Sequence, residues 1–318
     1  MIITVTANPA VDAVYGLGCG LAVGGLNRAV RSEIFAGGKG INVSRAVISA
    51  GGCDHVRTFA LVGGYTGRLL TEKLGGEGID LVGIPTSCET RMNVCAVSQN
   101  GDACEINAPG GPVTSRELAA LTEAVVECAG AGDTVILAGS IPTCADGDSV
   151  GYWASLIPPL KAKGCAVILD CSGEGLKRAV MGDCPPDMIK PNLDELCELC
   201  RIDTDSLSVS DESKPEGAEK TAENVFETAE TASEELAARG ISVLATLGSL
   251  GAVFTSSDDP KMHIRQKSTP VPHVANVKGA GDTYLGTFTY HRFILCDDIK
   301  KSLSQSAQSA ADHVAGKR

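Results

Sequence analysis

This chain of 318 residues is short of basic charge, of long apolar runs, of cysteine pairs at metal-binding spacing, and of the two familiar glycine-rich nucleotide loops. Its 27 Lys and Arg against 39 Asp and Glu leave a net charge of -12, which disfavours nonspecific attraction to nucleic acid or anionic membrane surfaces. No segment has the unbroken apolar length of a bilayer span, and the start, Met1 to Thr6, carries neither the basic region nor the apolar run of an export signal. The expectation is a cytoplasmic protein without nucleic-acid or membrane partners, in which a phosphorylated ligand must find a local basic pocket. Thirteen cysteines, odd in number and scattered from Cys19 to Cys296, do not read as a disulfide framework. Cys197-Glu198-Leu199-Cys200 has no second close pair and no His-x-x-x-His after it, so helix packing outweighs a tetrahedral metal site there. The Walker A spacing is absent, and so is a Gly-x-Gly-x-x-Gly opening.

What is present is an apolar fraction of 43%, ample for a buried core, arranged in a regular rhythm. Short β-branched runs alternate with stretches of helical period: Ile2 to Thr6, Thr134 to Leu137, Ala166 to Leu169, Met188-Ile189, Ser242 to Ala245 and Ala252 to Thr255. This predicts an α/β fold on a mostly parallel sheet, with ligands gathered beyond the carboxyl ends of the strands, at Asn8 to Asp12, Gly139-Ser140, Asp170, Lys190 to Asn192 and Thr246 to Gly251. Two segments, Val14 to Phe35 and Arg91 to Asn107, show short alternating patterns with Gly and Asn turns and are expected to form a small antiparallel sheet acting as a lid. The stretch 203–235 is acidic and is expected to be solvated surface decoration; its first part reads as a flexible insertion, while Val225, Ala229, Ala232 and Leu236 recur at helical spacing and suggest an acidic amphipathic helix. No repeat and no clean linker divides the chain, so residues 1–318 are read as one domain.

Two glycine clusters carry the chemistry. In Lys278-Gly279-Ala280-Gly281-Asp282-Thr283, the glycines let several backbone N–H groups converge at the start of a helix, whose partial positive charge favours an anion. Asp282 sits at the mouth of that turn, where a carboxylate can take a proton from an alcohol while the amides hold a phosphoryl group in transfer. In Ala36-Gly37-Gly38-Lys39-Gly40-Ile41-Asn42, Lys39 can neutralise a phosphate and Asn42, one turn into a helix, can both donate to and accept from sugar hydroxyls.

Together with Asn8-Pro9-Ala10-Val11-Asp12, these clusters resemble the PfkB (ribokinase-like) carbohydrate kinase family, and within it the branch of 1-phosphofructokinases and tagatose-6-phosphate kinases. Further matches follow in family order: Asn27-Arg28, Glu89 to Val94, Glu105-Ile106-Asn107, Ala138 to Pro142, Leu169 to Gly173, Ile189 to Asn192 with Glu195, and Thr246 to Ala252. The resemblance implies a three-layer α/β/α sandwich with a small β lid, and ATP- and Mg²⁺-dependent phosphorylation of a sugar phosphate, foremost fructose 1-phosphate to fructose 1,6-bisphosphate. It makes Asp282 the catalytic base and the amides of Gly279, Ala280 and Gly281 the anion hole. It assigns Asp12, Gly38 and Asn42 to the sugar hydroxyls, and Lys39 and Arg91, assisted by Arg28 and Asn93, to the acceptor's existing phosphate. Lys190, Asn192, Thr246, Gly248 and Gly251 fall at its nucleotide positions, with Asn192 and Glu195 reaching Mg²⁺ through water. A homodimer formed through the lids is a further implication.

The resemblance leaves tagatose 6-phosphate and fructose 6-phosphate open as acceptors, and from another class a sugar-phosphate-binding regulator without kinase activity. Lys278 stands where the family usually has an apolar or small residue and is read as pointing to water. Asp146-Gly147 comes late in the loop after Ser140, which implies a rearranged loop. Thirty-six residues follow Asp282, fewer than is common in the family, which makes nucleotide affinity the weakest inherited property.

Overall fold

The β-branched runs become the centre of a nine-stranded sheet. The computed structural model describes residues 1–202, 215–275 and 277–317, with the backbone alone for 215–220. The first part of the expected acidic insertion, 203–214, and Asn276, just before the motif at 278–283, lie outside the described residues.

In chain order the strands are β1 (Ile2–Thr6), β2 (Ala10–Leu17), β3 (Ala29–Gly37), β4 (Val56–Val62), β5 (Leu81–Pro85), β6 (Arg91–Val97), β7 (Ala103–Ile106), β8 (Thr134–Ala138), β9 (Ala166–Asp170), β10 (Met188–Ile189), β11 (Ser242–Thr246), β12 (Gly251–Ser256) and β13 (Asp259–Lys267). The helices are α1 (Lys39–Ser49), α2 (Gly64–Gly76), α3 (Ser115–Cys128), α4 (Tyr152–Ala162), α5 (Gly173–Met181), α6 (Leu193–Cys200), α7 (Pro215–Ala237), α8 (Ala280–Thr289) and α9 (Ile299–Val314). The large sheet runs in the order β13-β12-β11-β10-β9-β8-β1-β4-β5, parallel from β11 to β5, with β12 and β13 added antiparallel at one edge.

The runs are apolar throughout, not alternating, because both faces of the sheet are covered. Ile3 and Val5 of β1, Val135 and Leu137 of β8, and Val243 and Ala245 of β11 pack with α3 to α7. Their neighbours Ile2, Ile136 and Leu244 face the other way, against α1, α8 and α9. The result is the three-layer arrangement that the resemblance implies. β1 has β4 on one side and β8 on the other, a topological switch point, and the strand ends there open the crevice in which this class of sheet binds ligands.

The small sheet has the order β3-β2-β6-β7 and takes in both segments expected to form a lid. It departs from the expectation in two ways. It begins at Ala10, so Asp12 lies on one of its strands, and it is mixed: β2 and β6 pair in parallel. Both strands leave the carboxyl edge of the large sheet, one after β1 and one after β5, and therefore run in the same direction. The later part of the acidic stretch is no surface decoration. Val225, Phe226, Ala229, Ala232 and Leu236 of α7 are buried against the large sheet, and Glu230 and Glu223 on its outer face hold Arg265 of β13.

Candidate active site

Two helices meet over the carboxyl ends of the parallel strands. α1 opens one residue after β3, and α8 packs along it. The cap residue of α8 is Gly279, at φ 83° and ψ 1°, a left-handed conformation that costs glycine nothing and most side chains one to two kcal/mol, roughly. The first helical hydrogen bond runs from Thr283 N to Gly279 O at 2.8 Å, so the amides of Gly281 and Asp282 have no acceptor within the helix. Of the three amides expected in the anion hole, that of Ala280 already has an acceptor, Val277 O at 3.3 Å. The end of α9 holds this turn from behind: His313 Nε2 donates to Lys278 O at 2.7 Å, and Ala275 N donates to Val314 O at 2.8 Å.

Asp282 is 7% exposed at the mouth of the turn. Asn42 Nδ2, on α1, donates to its Oδ2 at 2.8 Å across 240 residues of sequence. Burial, followed by the negative charge of Asp170, pushes the Asp282 carboxyl above the ordinary carboxylate range; Asn42, Lys190 and Lys39 act in the opposite sense without cancelling it. A carboxylate with a raised proton affinity is better suited to accept a proton from an alcohol than an ordinary surface aspartate.

Below it lies a charge cluster. Asp170, the last residue of β9, is fully buried between Lys39 Nζ at 2.9 Å and Lys190 Nζ at 3.3 Å. Burial works to raise its pKa, but the two ammonium groups outweigh it and hold the carboxyl below its usual range. Lys39, despite desolvation, is driven well above the usual lysine value by Asp170, Asp282 and Glu195. Lys190 Nζ lies 3.5 Å from where a Cβ on Gly281 would stand, so this ammonium faces the first turn of α8. Two lysines, free helix-end amides and a buried acid thus share one spot, a combination suited to stabilising a phosphoryl group in transfer.

Of the residues expected to hold the acceptor, Asp12, Arg91 and Asn93 sit on the small sheet, while Gly38, Lys39 and Asn42 lie at the start of α1. Asn93 Nδ2 on β6 donates to Asp12 Oδ1 on β2 at 2.8 Å, and the Asn93 oxygen accepts from Ala108 N. Lys278 does not simply point to water: its Nζ is 3.7 Å from Asp12 Oδ1 and 4.0 Å from Glu105 Oε2, joining the catalytic turn to the small sheet. Arg91 donates to Ala108 O and Asn8 O, both at 3.0 Å, while its buried Nε has no hydrogen-bond partner among the described residues; burial lowers its pKa, and Asp12 opposes the shift. Arg28 is exposed just before β3. Lys39 is paired to Asp170.

Asn192 and Glu195 form a capping box at the start of α6, with Asn192 Oδ1 accepting from Glu195 N at 2.8 Å and Glu195 Oε2 from Asn192 N at 2.9 Å. Thr246 bridges to Asn192 and ends β11, Gly248 lies in the exposed turn after it, and Gly251 opens β12 where a Cβ would strike Gln266 O. Cys197 is buried and Cys200 Sγ points to Ala232 O, so the pair packs α6 against α7; among the described residues no group of three or more His, Cys, Asp or Glu is placed to hold a metal. In the late loop, Asp146 accepts from Ser115 N and Oγ and so ties the loop after Ser140 to α3.

Two residues central to this geometry have no role assigned by the resemblance. Asp170 is one of the strand ends at which ligands are expected to gather, and the structure adds its two lysine partners. Arg45, whose guanidinium reaches Asn42 Oδ1 at 2.8 Å, carries no signal beyond lying three residues further along the same helix face.

Residues 6–312 match the model of the pfkB family of carbohydrate kinases. A 1-phosphofructokinase of Bacillus subtilis is 36% identical over 201 residues; in that match the chain spans 62% of the relative's length, and 63% of the chain is covered. Among solved structures, phosphofructokinase-2 of Escherichia coli in complex with substrates and products superposes with a TM-score of 0.81 over 99% of this chain and 93% of that one, at 24% identity, a likeness of fold. The tetrameric inhibited form of the same protein gives 0.78 over 98% and 93%, at 23% identity. With a family model covering nearly the whole sequence and the buried acid, paired lysines and asparagine converging where its glycine motifs meet, the chain belongs to the pfkB family of carbohydrate kinases.

Proposed function

We propose that this protein transfers the γ-phosphoryl group of ATP to a sugar phosphate, converting fructose 1-phosphate to fructose 1,6-bisphosphate. The observation that carries the proposal is the buried Asp282, held by Asn42 beside the Lys39–Asp170–Lys190 cluster, with Asp12 and Asn93 linked to the same turn through Lys278. Asp282 takes the proton of the C6 hydroxyl as that oxygen bonds to the γ-phosphorus and the bond to ADP breaks. The first-turn amides of α8, with Lys39 and Lys190, meet the charge on the phosphoryl oxygens. Asp12 and Asn93 orient the sugar hydroxyls, and the orientation itself contributes a large share of the acceleration.

Arg91, Lys278 and Arg28 are the cations on the acceptor side, and the unpartnered Nε of Arg91 supports an anion-binding role for that guanidinium. Asn192 and Glu195 present hard oxygen donors, Glu195 near enough to Lys39 for its charge to act there, and the capping box uses Glu195 Oε2 and not Oε1, which suits a Mg²⁺ ion that keeps most of its water. When bound with ATP, Mg²⁺ would neutralise phosphate charge. The reading of a regulator without kinase activity is disfavoured by the retention of Asp282, Lys39 and Lys190 in one cluster, since binding alone requires no buried base. On the small sheet Val30 is 75% and Phe35 is 45% exposed on the edge strand β3, which supports self-association there.

The test is a coupled assay with ATP and Mg²⁺ against fructose 1-phosphate, fructose 6-phosphate, tagatose 6-phosphate and ribose. Highest kcat/KM for fructose 1-phosphate supports the proposal, a preference for another phosphorylated sugar moves the assignment within the branch, and turnover of none rejects the kinase.

A further inference from the structure

The hydrogen bond that holds the base depends on which way an amide faces. Asn42 lies between two partners: Arg45 Nη1 at 2.8 Å from its Oδ1, and Asp282 Oδ2 at 2.8 Å from its Nδ2. A guanidinium has donors only, so the amide end that meets Arg45 must be the oxygen, and the NH₂ is left to face Asp282. Without the arginine, the orientation would follow the protonation of Asp282 alone: an ionised carboxylate takes the NH₂, whereas a carboxylic acid can donate to the oxygen.

Arg45 is itself fixed from three directions. Its Nε and Nη2 meet Glu77 Oε2 and Oε1 at 2.5 and 3.0 Å, and Nη2 also donates to Ala36 O at 2.6 Å. Glu77 caps the end of α2 and Ala36 belongs to β3, so the guanidinium is clamped between two elements before it reaches Asn42. A planar fork engaging several oxygens at once is a task that a lysine cannot reproduce.

We propose that Arg45 is a positioning residue for phosphoryl transfer: clamped by Glu77 and Ala36, it locks the Asn42 amide so that its NH₂ donates to Asp282 and keeps that carboxylate ionised and oriented. The inference rests on the proposed role of Asp282 as the base. An Asn42 free to turn can offer its oxygen instead, which repels a carboxylate and accepts a hydrogen bond from a carboxylic acid, so the protonated, inactive form gains. Three charged groups also face Asp282, namely Asp170 from β9, Lys190 after β10 and Lys39 from α1. The partners of Arg45 are Glu77, Ala36 and Asn42, so the influence of these three charges on Asp282 stays in place when the arginine is replaced.

The experiment measures kcat against pH for the full chain, wild type, Arg45→Met, Arg45→Lys, Asn42→Ala and the Asn42→Ala/Arg45→Met double variant, with thermal unfolding of each. A charge-assisted hydrogen bond is worth enough to move the acid limb of Arg45→Met upward by about one pH unit and to lower kcat about tenfold on that limb, with KM for the sugar phosphate nearly unchanged. Arg45→Lys is expected to recover only part of the shift. In the Asn42→Ala background, the Arg45→Met change should move the acid limb no further, because the amide through which it acts is gone.

An unmoved acid limb in a folded Arg45→Met variant overturns the inference, as does an equal shift with and without Asn42. An inactive wild type fails the kinase reading instead, and a wild-type acid limb that survives Asp282→Asn fails the base assignment, so the separate failures can be told apart.

Discussion

Gly37→Ala tests the acceptor site with a geometry that sets its own magnitude. Gly37 closes β3 opposite Ala10, and a Cβ built on it would stand 2.2 Å from Asp12 Oδ2 and 2.9 Å from Asp12 Cγ, while the nearest backbone atom, Ala10 O, is at 3.3 Å. The methyl group therefore displaces the tip of one side chain and little else. To restore ordinary contact Oδ2 must retreat by roughly 1.2 Å and Cγ by roughly 0.5 Å, which turns the carboxylate and misaligns the 2.8 Å bond that its other oxygen, Oδ1, accepts from Asn93. Losing a hydrogen bond to a charged group costs about 1.5–3 kcal/mol, so kcat/KM for the sugar phosphate should fall roughly 10- to 150-fold, mostly through KM. Stability should stay within about 1 kcal/mol of the wild type, because the clash falls on a movable tip and alanine lowers the entropy of the unfolded chain. The assay is steady-state kinetics with the sugar phosphate varied, paired with urea unfolding. A KM within twofold of the wild type, with Asp12 unreplaced, would refute the placement of Asp12 against the acceptor.

Asp282→Asn should lower kcat by about 10²–10⁴-fold in the coupled assay, the usual contribution of a positioned general base, with little change in KM. Because burial raises the Asp282 pKa in the folded state, the protonated form is the one folding favours; stability is greatest below the unfolded value and is lost as pH rises through the folded one. The same variant should therefore melt higher than the wild type at neutral pH, and a scan at acid pH should show that gain shrinking. Gly281→Ala leaves the unliganded fold intact, since its Cβ would lie in ordinary contact 3.5 Å from Lys190 Nζ, but it fills the space between that ammonium and the helix amides. Turnover should drop at least about tenfold while the melting temperature holds, as read by single-turnover kinetics and calorimetry. Lys278→Met removes a half-exposed ammonium from Asp12 and Glu105, so stability should change by less than about 1 kcal/mol, and KM for the phosphorylated sugar should rise several-fold more at low salt than at high.

The strands of the large sheet were legible because burial on both faces leaves no choice but continuous β-branched residues: Ile2 to Thr6 matches to the residue, and the other expected runs fall within a residue or two of the observed bounds. β4, β5 and β13 were missed. β13 is an exposed edge strand with charged side chains, and its pattern resembles a loop. The mixed pairing in the small sheet was illegible because alternation shows that a strand is half-buried and says nothing about the direction of its neighbour. The acidic composition of α7 argues for solvated decoration, whereas its apolar positions at helical spacing argue for a packed face; spacing outweighs composition because the helix has β11 to β13 to pack against.

The site divides in the same way. Glycines flanking Asp282 announce a helix start that can bind an anion, since that is a local property of backbone freedom and unpaired amides, and Lys39 and Asn42 stand out beside their own glycines. Which groups meet is not local. Asn42 and Asp282 are 240 residues apart, Lys39 pairs with Asp170 across 131 residues, and Lys278 found Asp12 instead of solvent. Those partnerships follow from α1 and α8 packing side by side over the strand ends. A sequence specifies the periods and turns that build each element, whereas the distance between charges on different elements exists only after the core has closed. Thus the chain itself determined the layered α/β architecture and the chemical kind of the site, and the tertiary structure decided its wiring, from Glu77 through Arg45 and Asn42 to the buried acid.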